Sequence, residues 1–159
     1  MSISDLIVVM KEGVVHQIGK PQDVYDHPVN LFVAKFLGTP PINVFRGSVR
    51  SGVLMLGDDA ILRVKGVTDR EVFVGIRPEG FILDENGPLC CQTRAVEVMG
   101  RDTSVVSTHP AAVSETIRSI IPSEERVEVG KDQVRFAVKP FKLHLFDAQT
   151  EESIPFDAE

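Results

Sequence analysis

The sequence has no tryptophan, one tyrosine and two cysteines, and its 17 lysines and arginines are outnumbered by 23 aspartates and glutamates. Each scarcity narrows what the chain can do. A nucleic-acid surface needs cations that neutralise phosphates and aromatic platforms on which bases stack. A net charge of −6 and a single Tyr25 supply neither, so no nucleic-acid partner is expected. The nine phenylalanines fall mostly at apolar positions of strands, where core packing is the expected role. Cys90 and Cys91 are adjacent, and neighbouring cysteines rarely reach disulfide geometry. A reducing, cytosolic compartment is therefore expected, with a reactive thiol pair as the alternative. No apolar run approaches the ~20 residues that cross a bilayer, and the N-terminal stretch lacks the pattern of a secretion signal.

Motifs that carry chemistry are also missing. A phosphate-cradling loop requires Gly, four residues, then Gly-Lys-Ser/Thr, so that backbone amides wrap the phosphates. Between Gly13 and Gly19-Lys20 there are five residues, and Pro21 follows; before Gly130-Lys131, Glu125 stands where the first glycine is needed. Both read as turns. His16, His27, His109 and His144 lie far apart, without metal-ligand spacing, and no Gly-x-Ser-x-Gly elbow is present. No catalytic, cofactor-binding or metal-ligating residue is assigned.

What is there is a chain of 159 residues, 43% apolar, enough for one ordinary domain with an appendage. Leu6-Ile7-Val8-Val9-Met10, the turn Lys11-Glu12-Gly13, and Val14-Val15-His16-Gln17-Ile18 read as a hairpin. The unbroken apolar run of the first arm predicts a strand covered on both faces. Gly19 and Pro21 break the pattern, and two short helices follow. In the second, Val29, Phe32, Val33, Phe36 and Leu37 share one face at helical spacing. Pro28 suits its first turn and Gly38 a left-handed cap, which predicts about three turns ended by Pro40-Pro41. The five apolar residues must pack on the rest of the chain or on a second copy.

From Asn43 the rhythm becomes that of short strands separated by Gly, Pro, Asp and Asn. Strands are predicted at 45–49, 53–56, 60–64, 71–77, 81–83, 94–99, 103–108, 133–138 and 143–146. Gly100-Arg101-Asp102 forms a hairpin turn between two of them. Residues 112–121 fit both periodicities; a strand after Ser114 is the reading adopted. Ser123-Glu124-Glu125-Arg126 reads as a solvated turn. The fold class is mainly β, a small barrel preceded by a hairpin and short helices, with the boundary between residues 1–40 and 41–159.

Taken together, these segments resemble a known family. Asp5 to Met10, Gly13, Gln17-Ile18-Gly19, Pro21, Val24-Tyr25, Pro28, Asn30, Phe32-Val33-Ala34 and Phe36-Leu37-Gly38 are similar to the tail of an ABC ATPase domain. Pro41-Ile42-Asn43-Val44-Phe45-Arg46-Gly47, Gly75-Ile76-Arg77-Pro78-Glu79, the stretch 96–103 and Leu143-His144-Leu145-Phe146-Asp147 with Thr150 resemble the regulatory domain of maltose-type and glycerol-phosphate-type importer subunits. Ile42 stands where Met is usual in that family, and Gly80 where His is common.

The resemblance implies an oligonucleotide/oligosaccharide-binding-type (TOBE) barrel. Its implied roles are to hold two ATPase subunits together and to receive regulatory signals, at the cytoplasmic face of the membrane. The implied partners are a second copy, the rest of the ATPase subunit, the permease subunits and a regulatory protein. ATP and magnesium would bind the ATPase part, whose phosphate loop, signature motif, magnesium carboxylate and switch histidine are not in this sequence, so this chain is not itself expected to be an enzyme. Candidate regulatory or interface residues are Arg77, Pro78, Glu79, Gly100, Arg101, Asp102, Leu145, Phe146 and Asp147. An Arg77–Glu79 ion pair is expected, the alternative being that Arg77 faces a partner or an anion. Leu145 and Phe146 are expected to plug the barrel end, and Asp147 to start a turn to Thr150. A barrel that senses a sugar phosphate or oxyanion is the first alternative function, and a nucleic-acid-binding barrel the second.

Overall fold

The computed structural model describes residues 5–38, 40–125 and 132–158. Strands β1 (Ile7–Lys11) and β2 (Val14–Gly19) form the hairpin, and helices α1 (Pro21–Asp26) and α2 (Leu31–Phe36) follow. The remaining strands are β3 (Asn43–Arg50), β4 (Val53–Leu56), β5 (Asp59–Lys65), β6 (Arg70–Ile76), β7 (Phe81–Leu83), β8 (Leu89–Met99), β9 (Asp102–Thr108), β10 (Ile117–Pro122), β11 (Gln133–Val138), β12 (Leu143–Asp147), β13 (Ser153–Ile154) and β14 (Asp157–Ala158).

A seven-stranded antiparallel sheet runs in the order β13-β12-β6-β3-β4-β5-β14. Its two edge strands are consecutive in the chain, so the arm through Pro155 and Phe156 crosses from one edge to the other and nearly closes the sheet. A second sheet, β10-β9-β8-β11-β7, packs against it. Phe45, Leu54 and Val74 from the first sheet share one core with Leu89, Val105, Ile117 and Phe136 from the second. Asn43, only 5% exposed, ties the sheets together. Its amide donates to the carbonyls of Ile76 and Arg118, and its oxygen accepts from the Arg118 N–H. Partners on both sides make this buried amide tolerable. The result is a mainly-β, oligonucleotide/oligosaccharide-binding-like fold.

Three expectations need correction. The first hairpin arm is covered on one face only. Val9 is buried, whereas Val8 and Met10 point outward opposite Ile18 and Val15, and all four are about half exposed. The sequence run is continuous because one face packs on α1 and α2 and the other is left apolar at the surface. Helix α2 is six residues long and not three turns. Pro28 lies before it, Asn30 caps it by accepting from the Val33 N–H at 2.9 Å, and Val29 pairs with a strand edge.

The buried face of α2 also differs from the predicted stripe. Leu31 and Ala34 face the barrel with Ile42, Val44 and Phe146, Val33 faces the hairpin, and Phe36 is 59% exposed. The helix is thus sandwiched, and it packs on its own chain. Gly38, at φ +111°, takes the left-handed position past the helix end.

The strands at residues 45–83 and 103–146 lie where the pattern places them, and β10 resolves the ambiguous segment as strand. Residues 123–125 form the expected turn; Arg126 and Gly130-Lys131 lie outside the described residues.

Candidate functional site

The helices meet the barrel at a junction organised by Arg77, which follows β6 and is 1% exposed. Its Nη1 donates to the carbonyls of Ala34 and Leu37, and Nη2 to that of Tyr25, each at 2.9 Å. These carbonyls belong to the last turns of α2 and α1, where no helical N–H remains to satisfy them. One guanidinium therefore caps two helices, and its charge suits their C-terminal ends. The plane stacks on the Tyr25 ring, 3.9 Å from its centroid. Nε is buried and has no hydrogen-bond partner among the described residues.

Arg77 does not pair with Glu79, contrary to the sequence expectation. Glu79 instead accepts from the Tyr25 hydroxyl at 2.5 Å and lies 3.5 Å from Lys142 Nζ. Burial, and then the bond to Glu79, push the Tyr25 phenol well above its ordinary range, so it stays a donor. Burial raises the Glu79 carboxyl, but the bonds from Tyr25 and its own backbone and the Lys142 charge outweigh that and hold it below its usual value. Pro78 starts the 3-10 turn 78–80 that aims both side chains back at Tyr25. With both its Nη groups committed to carbonyls and only 1% of its surface exposed, Arg77 is not available to a soluble anion.

Backbone pairing completes the junction. The Ser153 N–H donates to Val29, and the Leu31 N–H to Glu151, so residues 29–31 cover the β13 edge of the sheet. Phe146 sits beneath α2 while Leu145, pointing the opposite way, enters the barrel core; only Leu145 fills the barrel interior as expected. Gly75 makes room for this second cluster, because a Cβ there would lie 2.7 Å from Ile42. Asp147 accepts from the Gln149 and Thr150 N–H groups, forming the expected turn, and pairs with Arg70.

Gly100, Arg101 and Asp102 form the exposed tip of the β8–β9 hairpin, beside exposed Val98 and Met99. Ser123 anchors that tip through the carbonyls of Gly100 and Arg101. Arg77 and Arg101 belong to different parts of the fold and form no common anion site. Cys90 and Cys91 are free and point to opposite faces of β8; burial pushes the Cys91 thiol up to about 12, which removes it as a nucleophile. Among the described residues, no three His, Cys, Asp or Glu side chains are grouped to hold a metal ion.

A cavity of about 690 Å³ opens beside the junction. The 26–29 loop forms one wall, the C-terminal arm another, and β12 the floor, with Phe141 at the rim. Sequence reasoning did not find it. Its Asp26 and His27, its Phe141 and His144, and its Asp157 come from three separated segments, and no local spacing joins all three.

The comparisons with known proteins bear on this whole arrangement. No protein-family model matches the chain. The sn-glycerol-3-phosphate import ATP-binding protein UgpC of Jannaschia sp. (strain CCS1) is 34% identical over 93% of this chain and 42% of its own length. The sulfoquinovosyl glycerol transport ATP-binding protein SmoE of Agrobacterium fabrum is 35% identical over 97% of this chain and 45% of its own. The oligosaccharides import ATP-binding protein MsmX of Bacillus subtilis is 32% identical over 95% of this chain and 45% of its own. The chain belongs with the C-terminal part of the ATP-binding subunits of sugar-type ABC importers. The chain spans less than half the length of the curated relatives it matches. No helix among the described residues is long and apolar enough to cross a membrane.

Proposed function

We propose that this chain is the non-catalytic regulatory and dimerisation module of an importer ATP-binding subunit. The observation that carries the reading is the alignment: relatives match 93–97% of the chain with only 42–46% of their own length. Residues 1–40 act as the tail of the ATPase domain and residues 41–159 as the regulatory barrel. Two copies associate through their barrels, with Val98, Met99 and the Gly100-Arg101-Asp102 tip as the contact surface. ATP and magnesium bind the ATPase part, and the subunit works at the cytoplasmic face of the membrane with permease subunits and a regulatory protein. The apolar outer face of the hairpin, at Val8, Met10, Val15 and Ile18, supports contact with that ATPase part.

Sedimentation equilibrium and calorimetry with ATP–Mg test the proposal. A concentration-dependent dimer that Val98→Asp weakens, with no heat of ATP binding, is expected. A monomer at all concentrations removes the dimerisation role, and saturable ATP binding removes the non-catalytic one.

A further inference from the structure

The cavity beside the junction has the size of small-molecule sites, which run from about 300 to 1,000 Å³. Its floor is His144. On β12, Leu143 and Leu145 turn into the core, while His144 and Phe146 face the helices. Phe146 is covered by Leu31 and Ala34, but the 26–29 loop passes over His144 without filling the space. The imidazole has no hydrogen-bond partner among the described residues, so it presents one donor and one acceptor to the cavity. Burial, then the charges of Arg77 and His27, push its pKa down to about 4, so the ring is neutral at physiological pH.

Charges of both signs stand around this ring, so neither an anion nor a cation meets a uniformly favourable field. Among the described residues no lysine or arginine lines the cavity, whereas Asp26 and Asp157 do, so an anion meets two carboxylates. A cation reaching the floor meets the field of Arg77 and Lys142, the same field that disfavours protonated His144. What remains is a neutral ligand rich in hydroxyls. Carboxylates and a neutral imidazole accept and donate to hydroxyl groups. Phe141, 73% exposed at the rim with Lys142 Nζ 6.0 Å from its ring centroid, offers an exposed ring for the apolar side of a pyranose.

We propose that this cavity binds a neutral saccharide, with Phe141 as its stacking platform and His144, Asp26 and Asp157 as its hydroxyl partners. The inference rests on the cavity alone and does not require the transporter reading. It also differs from a sugar-phosphate or oxyanion sensor, which the lining carboxylates oppose.

Saturation-transfer NMR on the 159-residue chain tests it, with glucose, maltose and trehalose set against glucose 6-phosphate and choline. At least one neutral sugar is expected to show transfer and saturable binding. Phe141→Ala, a change at an exposed position, is expected to weaken that binding about tenfold without shifting the thermal midpoint. Asp157→Asn, also exposed, weakens it as well. No transfer to any neutral sugar, binding of glucose 6-phosphate or choline in preference, or binding unchanged by both substitutions would each overturn the proposal.

Discussion

At the scale of single residues, Arg77 and His144 show how burial turns ordinary side chains into structural commitments. Replacing Arg77 by Met keeps most of the apolar stem but strands three carbonyls, that of Ala34 buried and those of Tyr25 and Leu37 half-buried. An unsatisfied buried acceptor costs about 1–3 kcal/mol. Partial relaxation toward water brings the expected total to about 2–4 kcal/mol. Arg77→Lys retains the charge but not the planar fork that reaches three acceptors, so it recovers only part of the loss. Urea midpoints measure both, and a variant within about 0.5 kcal/mol of the parent rejects the capping role.

His144 makes a pH-dependent contribution whose sign follows from its depressed pKa. Above 6.5 both folded and unfolded chains hold the ring neutral; between 6.5 and about 4 only the unfolded chain takes up the proton. Stability is therefore complete at neutral pH and is lost as pH falls toward 4, by at most about 2 kcal/mol between pH 7 and pH 5. In His144→Gln this part of the acid slope disappears. Equal slopes for variant and parent would show that the ring is not held neutral. Neither residue's role was legible locally. Arg77 and Glu79 sit two apart and invite an ion pair, yet both reach Tyr25, 52 residues before Arg77, a distance that no periodicity spans.

At the scale of elements, periodicity served where one face of a segment meets one environment and misled where it meets two. Strands β3 to β7 lie where they were expected, and β4 alternates strictly between half-buried and buried positions. Helix α2 touches the barrel on one side and the hairpin on another, so its buried positions, Leu31, Val33 and Ala34, do not follow a single stripe. Strand β8 begins at Leu89, five residues before the expected start at Arg94, and Leu89, Cys90 and Cys91 alternate between buried and half-buried. Strands β13 and β14 have two residues each and carry no pattern at all.

The β1–β2 hairpin is the element whose exposed face calls for a test. Val8 with Ile18 and Met10 with Val15 are cross-strand apolar pairs at the surface. A dye that fluoresces on apolar surface should bind there, and Val8→Thr with Ile18→Thr should reduce that signal while changing stability by no more than about 0.5 kcal/mol each. Undiminished fluorescence would place the dye elsewhere.

For the whole molecule, the question is whether residues 1–40 and the barrel behave as two folding units. The change from helical to strand rhythm at Pro40-Pro41 marks a boundary in the sequence, but the contacts across it are those of one body. Arg77 caps both helices, residues 29–31 extend the sheet, and Phe146 of the barrel packs under Leu31 and Ala34. Separating them exposes the buried carbonyls, a sheet edge and an apolar cluster together. Unfolding should therefore be a single transition.

The composition provides the means to check this. With no tryptophan and a single tyrosine, emission reports only on Tyr25, which lies on the helical side of the junction, whereas far-ultraviolet circular dichroism is dominated by the barrel. The two signals should trace the same urea curve in the parent chain. In Arg77→Met the tyrosine signal should move to lower urea ahead of the dichroism, because the cap that couples the parts is gone. Separate curves already in the parent would mean that the junction, despite its bonds, does not bind the parts into one cooperative unit.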